Sequence, residues 1–305
     1  MKILITGGSG FIGSHLVEHY QGVAEEIRVL DNLRTGYRNN LEGFDCTFVE
    51  GSITDRGVVK EAVKDIDIIY HLAALVSVPE SMSSPLECVE INVNGLLNVL
   101  EEGSKTGAKK LVFASSAAIY GDNPTIPKVE SMFPEPRSPY AITKLDGEYY
   151  CDLYQRENRI STAAIRFFNV FGPRQDPNGA YAAAVPIFIE RAVNNQEITI
   201  FGEGDQTRDF IYVKDIVNAL TFAGENEKIH GVHNAGYGAQ ITIRELADEI
   251  ISATSSSSKI KHAPTRAGDV KHSRASAELL LSKGWQPKYS LASGLKETLE
   301  HLSII

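Results

Sequence analysis

The chain has 305 residues, 43% hydrophobic and 23% charged, an ordinary balance for a globular protein with one large or two modest cores. Its net charge of −9 argues against a nucleic-acid surface. No apolar run approaches the roughly 18 residues of a membrane span, no basic, apolar leader precedes the first strand, and Cys46, Cys88 and Cys151 match no metal spacing. The expectations are therefore no metal, no nucleic acid, no membrane and a cytoplasmic location.

Lys2-Ile3-Leu4-Ile5-Thr6 reads as a short buried strand, and the residues from Ser14 to Tyr20 read as a helix. Between them stands Gly7-Gly8-Ser9-Gly10-Phe11-Ile12-Gly13. Strand, glycine turn and helix form the setting of a dinucleotide fingerprint. The glycines let the backbone approach a pyrophosphate, and the helix start offers free N–H groups and a positive dipole end. A second strand, Glu26 to Leu30, runs into Asp31-Asn32. Asp31 follows Gly13 by 31 − 13 = 18 residues, close to the spacing of a ribose-binding acid. A carboxylate there accepts from the 2′- and 3′-hydroxyls and repels a 2′-phosphate, so the cofactor expected is NAD, with Arg34 and Arg38 the local features favouring NADP.

Further strand-like runs follow at Cys46–Glu50, Ile66–Leu72, Lys110–Ala114 and Thr162–Arg166, with long helices near 86–106 and 138–158. This alternation indicates an α/β fold, a doubly wound parallel Rossmann sheet. Past Gly172 the elements become shorter and mixed, giving a dinucleotide-binding region over 1–172 and a smaller C-terminal α/β substrate-binding region over 173–305 that interleaves with it. The serine run Ser255–Ser258 reads as an exposed loop.

The helix expected over 138–158 carries Tyr140 and Lys144, which are 144 − 140 = 4 residues apart and so share a face. An ammonium beside a phenol favours the phenolate, which can take a proton from an alcohol and return it. Ser116, at the end of the Lys110–Ala114 strand, could hold that alcohol. Alone, each of these is an ordinary surface pair or a strand-ending serine; the glycine turn and Asp31 give them a common purpose.

Taken together, Thr6-Gly7-x-x-Gly10-Phe11-Ile12-Gly13, Asp31-Asn32, His71-Leu72-Ala73-Ala74, Ser115-Ser116-x-x-x-Tyr120-Gly121, Tyr140-x-x-x-Lys144, Arg166-x-x-Asn169-x-x-Gly172, Arg208-Asp209-Phe210 and Arg266-x-Gly268-Asp269 resemble the extended short-chain dehydrogenase/reductases. Within them the resemblance is to the UDP-hexose 4-epimerases, over nearly the full length. It implies a tightly held NAD and transient oxidation at sugar C4. Tyr140 would remove the 4-hydroxyl proton, and Lys144 would bond the nicotinamide ribose and lower the tyrosine pKa from ~10 toward ~7. It adds Ser52, Ile53, Leu72 and Ala73 to the cofactor residues. Ser77, Ser116, Ala117, Ala118, Asn169, Gln175 and Asp269 are implied to meet substrate, Val185 and Phe201 to flank uracil, and Arg208 and Arg266 to clamp the diphosphate. Relatives that eliminate water carry an Asp-Glu pair after the serine, and decarboxylases a glutamate; here stand Ala117 and Ala118. Ser273 aligns where glucose-limited epimerases carry a bulky tyrosine, which leaves room for an N-acetyl group and points to UDP-N-acetylglucosamine as a UDP-sugar substrate, with UDP-glucose alongside. A homodimer through the two long helices is implied as well. Two positions depart from the pattern: Ser52 replaces an adenine-binding aspartate, and Ile91 a polar residue. Two other readings stay open, a nucleotide-sugar reductase or decarboxylase-like enzyme and a non-catalytic NAD-binding regulator.

Overall fold

The computed structural model describes residues 1–177, 183–265 and 271–304. The chain divides into two compact units. The first comprises Met1–Gly121, Phe133–Phe167 and Val217–His233; the second comprises Asp122–Met132, Phe168–Ile216 and Asn234–Ile305.

The first unit is built on strands β1 (Lys2–Thr6), β2 (Glu26–Asp31), β3 (Thr47–Glu50), β4 (Ile68–His71), β5 (Lys110–Ser116) and β6 (Ser161–Phe167). They pair in parallel in the order β6-β5-β4-β1-β2-β3, and the strand Gly231–Ala235 joins beyond β6. The strands are near-continuous apolar runs because helices cover both faces of such a sheet. Ile3, Leu4, Ile5, Ile69, Leu111 and Val112 expose none of their surface. Each large aliphatic chain buried in this way contributes about 1.5–3 kcal/mol. The order reverses between β1 and β4, so a crevice opens outside their carboxyl ends, where such sheets take their ligands.

The helices of this unit are α1 (Phe11–His19), α2 (Arg56–Ala62), α3 (Val78–Ser83), α4 (Pro85–Val89), α5 (Gly95–Thr106) and α6 (Pro139–Arg156). The long helix expected over 86–106 is α4 and α5 joined by a π-turn at Glu90–Asn94. The wider turn brings Asn92 inward. Its Oδ1 accepts from the Leu75 N–H at 2.7 Å, and its Nδ2 donates to the Leu75 carbonyl at 3.0 Å and to Thr143 Oγ1 at 3.0 Å. Helix α6 starts where the sequence indicates. Ser138 caps it by accepting from Ala141 N–H, and Pro139 takes the first position, where a missing N–H costs nothing.

The second unit carries small sheets and the helices Ala184–Val193, Val213–Glu225 in its first turn, Ile243–Ala253 and Leu291–His301. Two buried carboxylates organise it. Asp209 accepts from the N–H groups of Tyr237, Gly238 and Ala275 at 2.9, 3.0 and 2.8 Å, and Asp215 from those of Lys288 and Tyr289 at 2.7 and 3.0 Å. The serine run is not a loose loop: Ser256 donates to Ala192 O at 2.6 Å and Ser258 to Arg191 O at 3.3 Å, satisfying carbonyls at the end of Ala184–Val193.

Candidate functional site

At the end of β1 the chain turns through Gly7, whose φ is +73°, with its Cα against the Leu72–Ala73 backbone. A Cβ on Gly13 would collide with the Gly7 carbonyl oxygen, so glycine there lets α1 start directly against the turn. Gly10 precedes α1 with extended backbone and no side-chain cap, and Phe11 and Ile12 open the helix. Their N–H groups belong to the first helical turn, which lacks carbonyl partners within the helix. Asp31 is 8% exposed. Its Oδ2 accepts from Ser9 N–H at 2.9 Å and its Oδ1 from Leu33 N–H at 2.8 Å, which fixes the carboxylate and leaves lone pairs on both oxygens. The Ser9 hydroxyl oxygen is buried with no partner beside this turn. A helix start, an oriented carboxylate and an orphaned hydroxyl fit the pyrophosphate and ribose of a dinucleotide.

The two arginines near Asp31 are engaged elsewhere. Arg34 bonds Glu80 at 2.7 Å and Glu87 at 2.5 Å, and the Arg38 guanidinium stacks 3.7 Å from the Phe48 ring centre. Asn32 Oδ1 accepts from Arg34 N–H at 3.2 Å. Farther along, Ser52 Oγ bonds Thr54 Oγ1 at 2.8 Å, while Ile53 is buried and packs against Gly95. Leu72 N–H donates to Thr6 O at 3.1 Å and Ala73 N–H to Thr6 Oγ1 at 3.3 Å. His71 bonds Thr6 Oγ1 at 2.9 Å, and burial pushes its imidazole down to about 3, so it stays neutral.

The candidate catalytic groups meet where β5 ends beside the first turns of α6. Ser116 Oγ accepts from Ala118 N–H at 3.1 Å, which opens the tight turn Ala117–Tyr120. Its hydroxyl acts on the Tyr140 phenol in the direction that favours the phenolate. Lys144 is 4% exposed, and its Nζ donates to Ala114 O at 2.7 Å. The ammonium sits 4.9 Å from the Phe113 ring centre and 5.8 Å from that of Tyr140.

The electrostatics differ from the simple expectation for this pair. Tyr140 is pushed above its ordinary value, because burial disfavours a phenolate more than the nearby Ser116 hydroxyl favours it. Burial also pulls Lys144 down to about 8, which weakens the ammonium as a source of positive charge. The protein alone therefore keeps the phenol protonated at neutral pH, and lowering its pKa calls for a further positive charge.

Ser77 caps α3 by accepting from Glu80 N–H at 3.1 Å and retains its own O–H to donate. The remaining described residues expected at substrate lie in the second unit. Gln175 and Val185 line a cavity of about 280 Å³ with Pro173, Pro186, Ile189 and Thr298. Gln175 Nε2 donates to Val170 O at 3.2 Å, and its buried Oε1 has no partner. Val185 is 2% exposed, so it forms a wall and not a stacking face. Arg208 borders a separate depression of about 330 Å³ with Phe210, Tyr237 and Glu245. Its Nη1 donates to Thr207 O at 2.9 Å, and Ser273 N–H donates to the same carbonyl at 3.1 Å, so Arg208 and Ser273 flank one peptide. Asn169 Nδ2 donates to Asp209 O at 2.9 Å. Phe201 ends the strand Ile198–Phe201 and lines neither cavity. Arg266 and Asp269 lie outside the described residues.

A family model for the NAD dependent epimerase/dehydratase family matches residues 3–236. The chain belongs to that family. NAD is its cofactor, in agreement with the glycine turn and Asp31. The chain is 37% identical over 301 residues to a putative UDP-glucose 4-epimerase of Methanocaldococcus jannaschii, covering 97% of each. It is 34% identical to a UDP-N-acetyl-alpha-D-glucosaminuronate decarboxylase of Bacillus cytotoxicus, over 98% of this chain and 97% of that one. Among solved structures, a UDP-N-acetylglucosamine 4-epimerase of Methanobrevibacter ruminantium in complex with UDP-N-acetylmuramic acid superposes with a TM-score of 0.95 at 36% identity, covering 99% of this chain and 98% of that one. Among the described residues no helix is long and apolar enough to cross a membrane, and no group of acidic, histidine or cysteine side chains could hold a metal ion.

Proposed function

We propose that this protein is an NAD-dependent UDP-sugar 4-epimerase acting on UDP-N-acetylglucosamine and UDP-N-acetylgalactosamine, with UDP-glucose and UDP-galactose as further substrates. The observation that carries this reading is the Ser116–Tyr140–Lys144 cluster followed by Ala117 and Ala118, where elimination or decarboxylation would call for an acid. NAD, when bound, supplies the hydride acceptor and a positive charge. Ser116 orients the 4-hydroxyl of the sugar. Tyr140 takes its proton and later returns it, and Lys144 holds the ribose side of the site and favours the phenolate. A fall of the Tyr140 pKa from ~10 to ~7 requires about 4 kcal/mol of preference for the phenolate, at about 1.4 kcal/mol per unit. With no net redox change, turnover needs no added reductant.

Arg208 and Arg266 would hold the diphosphate, Asn169 its sugar side, and Val185 and Phe201 the uracil. The small Ser273, half-buried beside Arg208, supports room for an N-acetyl group. The three free cysteines support a reducing, cytoplasmic setting. Ile142, Tyr149 and Leu153 are 48, 61 and 49% exposed on α6, and Leu86 on α4 is 85% exposed. This apolar face supports a homodimer; a mass of one chain by light scattering would refute it.

The test is incubation of the NAD-loaded protein with UDP-N-acetylglucosamine and with UDP-glucose, resolving the C4 epimers by NMR. Epimers form without added NADH, and Tyr140→Phe loses about 10²–10⁴-fold of the rate. Ser273→Tyr lowers activity on the N-acetylated sugar more than on UDP-glucose, and equal losses would sink the specificity argument. No epimer from either sugar overturns the proposal, and release of CO2 from a uronic acid substrate favours a decarboxylase instead.

A further inference from the structure

Helix α6 carries its chemistry on one face for a third turn. Tyr140, Lys144 and Glu148 stand at successive intervals of four. Glu148 is 4% exposed and faces Arg166 on β6, which is 3% exposed. Its Oε1 accepts from Arg166 Nε at 2.8 Å and its Oε2 from Arg166 Nη2 at 2.7 Å, a bidentate pair. The same Oε1 accepts from Ser115 Oγ on β5 at 2.5 Å. The Arg166 guanidinium also lies 4.8 Å from the Tyr120 ring centre, at the end of the turn that follows Ser116. A Cβ on Gly147 would collide with the Phe113 ring, so the absence of one lets α6 lie close to β5.

The consequence is a double grip on one strand end. Lys144 holds the Ala114 carbonyl, and Glu148 holds the Ser115 hydroxyl. The next residue is Ser116, whose hydroxyl favours the phenolate of Tyr140 on the same helix. Arg166 adds a second effect. By occupying both carboxylate oxygens of Glu148, it keeps that charge from pairing with Lys144, one turn away.

We propose that Glu148, Ser115 and Arg166 are positioning residues that set the distance from Ser116 and Lys144 to Tyr140 and so set the ionisation of the phenol. None of the three touches a reacting atom. The proposal rests on the epimerase reading for its kinetic test, and a second measurement stands without it.

The experiment uses the full-length NAD-loaded protein carrying Ser115→Ala or, separately, Glu148→Asp, which keeps the charge and shortens the reach. In each, kcat falls about 10- to 100-fold, the scale of a misplacement near 1 Å. KM and NAD content stay within about twofold, and the limb of kcat that rises with pH moves to higher pH because the phenolate loses support. The second measurement is ultraviolet difference titration of the Tyr140 phenol, taken against the same variant with Tyr140→Phe. It shows the same upward displacement whether or not any sugar turns over. Unchanged kcat and an unchanged titration in Ser115→Ala overturn the proposal. So does a loss of rate that follows loss of folded protein or of NAD with the pH profile unmoved. If the unaltered protein turns over no sugar, the epimerase reading fails while the titration still decides the positioning role.

Discussion

The two units solve the same problem, a buried carboxylate, in opposite ways. In the first, Glu148 meets a guanidinium, so the node is balanced in charge. In the second, Asp209 exposes none of its surface and is answered by three backbone N–H groups. Backbone dipoles compensate less than a full charge. Burial accordingly pushes Asp209 up to about 6, and Asp215 is raised by the same cause. Side-chain pairing thus supports the helix and strands that carry the candidate catalytic groups, and backbone donors hold the segments that carry Arg208 and Ser273. The second arrangement is the more sensitive to pH.

The largest effect that tests this contrast is Arg166→Met. It leaves Glu148 buried without a partner and costs about 3–5 kcal/mol in chemical denaturation. Adding Glu148→Gln recovers most of that loss; a double variant no more stable than the single would show that the pair is not the unit of stability. Next in size is Asp209→Ala, which strands the N–H groups of Tyr237, Gly238 and Ala275 and costs about 3 kcal/mol. Substrate affinity falls with it while NAD stays bound, and loss of NAD before loss of substrate affinity would break the comparison.

The smallest effect is one of pH. A carboxyl whose pKa rises on folding binds its proton more tightly in the folded state. Its contribution to stability is therefore present at low pH and lost as pH climbs from 3.8 to about 6. Other carboxylates titrate in the same range, so the quantity to measure is the stability of the protein minus that of Asp209→Asn. That difference declines with pH by no more than about 1.4 kcal/mol per unit across this window. A flat difference would mean that the three N–H groups compensate the charge fully.

Much of the first unit could be read in advance because its signals are local. Apolar runs end at glycines, Asp31 closes its strand, and Ser138-Pro139 announces α6. What escaped reading depends on partners far along the chain. Glu148 looks like one more charge on a solvated helix, and its partners are 33 residues before it and 18 after it. Period alone could have pointed to it, since it repeats the interval from Tyr140 to Lys144. Asn92 gave no sign, because a π-turn has no residue signature comparable to a cap or a proline. The expected fall of the Tyr140 pKa attended to the neighbouring ammonium and omitted desolvation, which dominates once the pair is enclosed.

The π-turn at Glu90–Asn94 has a consequence for how this chain can change. An α-helix advances 100° per residue, and a π-turn absorbs one extra residue. The apolar residues of α5 therefore stand out of phase with α4 unless that residue is counted. Removing one residue of the turn while keeping Asn92, such as Ile91, would restore a regular helix and rotate the Asn92 amide away from Leu75 and Thr143, even with every remaining side chain retained. This segment should accept substitutions at its exposed positions and reject changes of length.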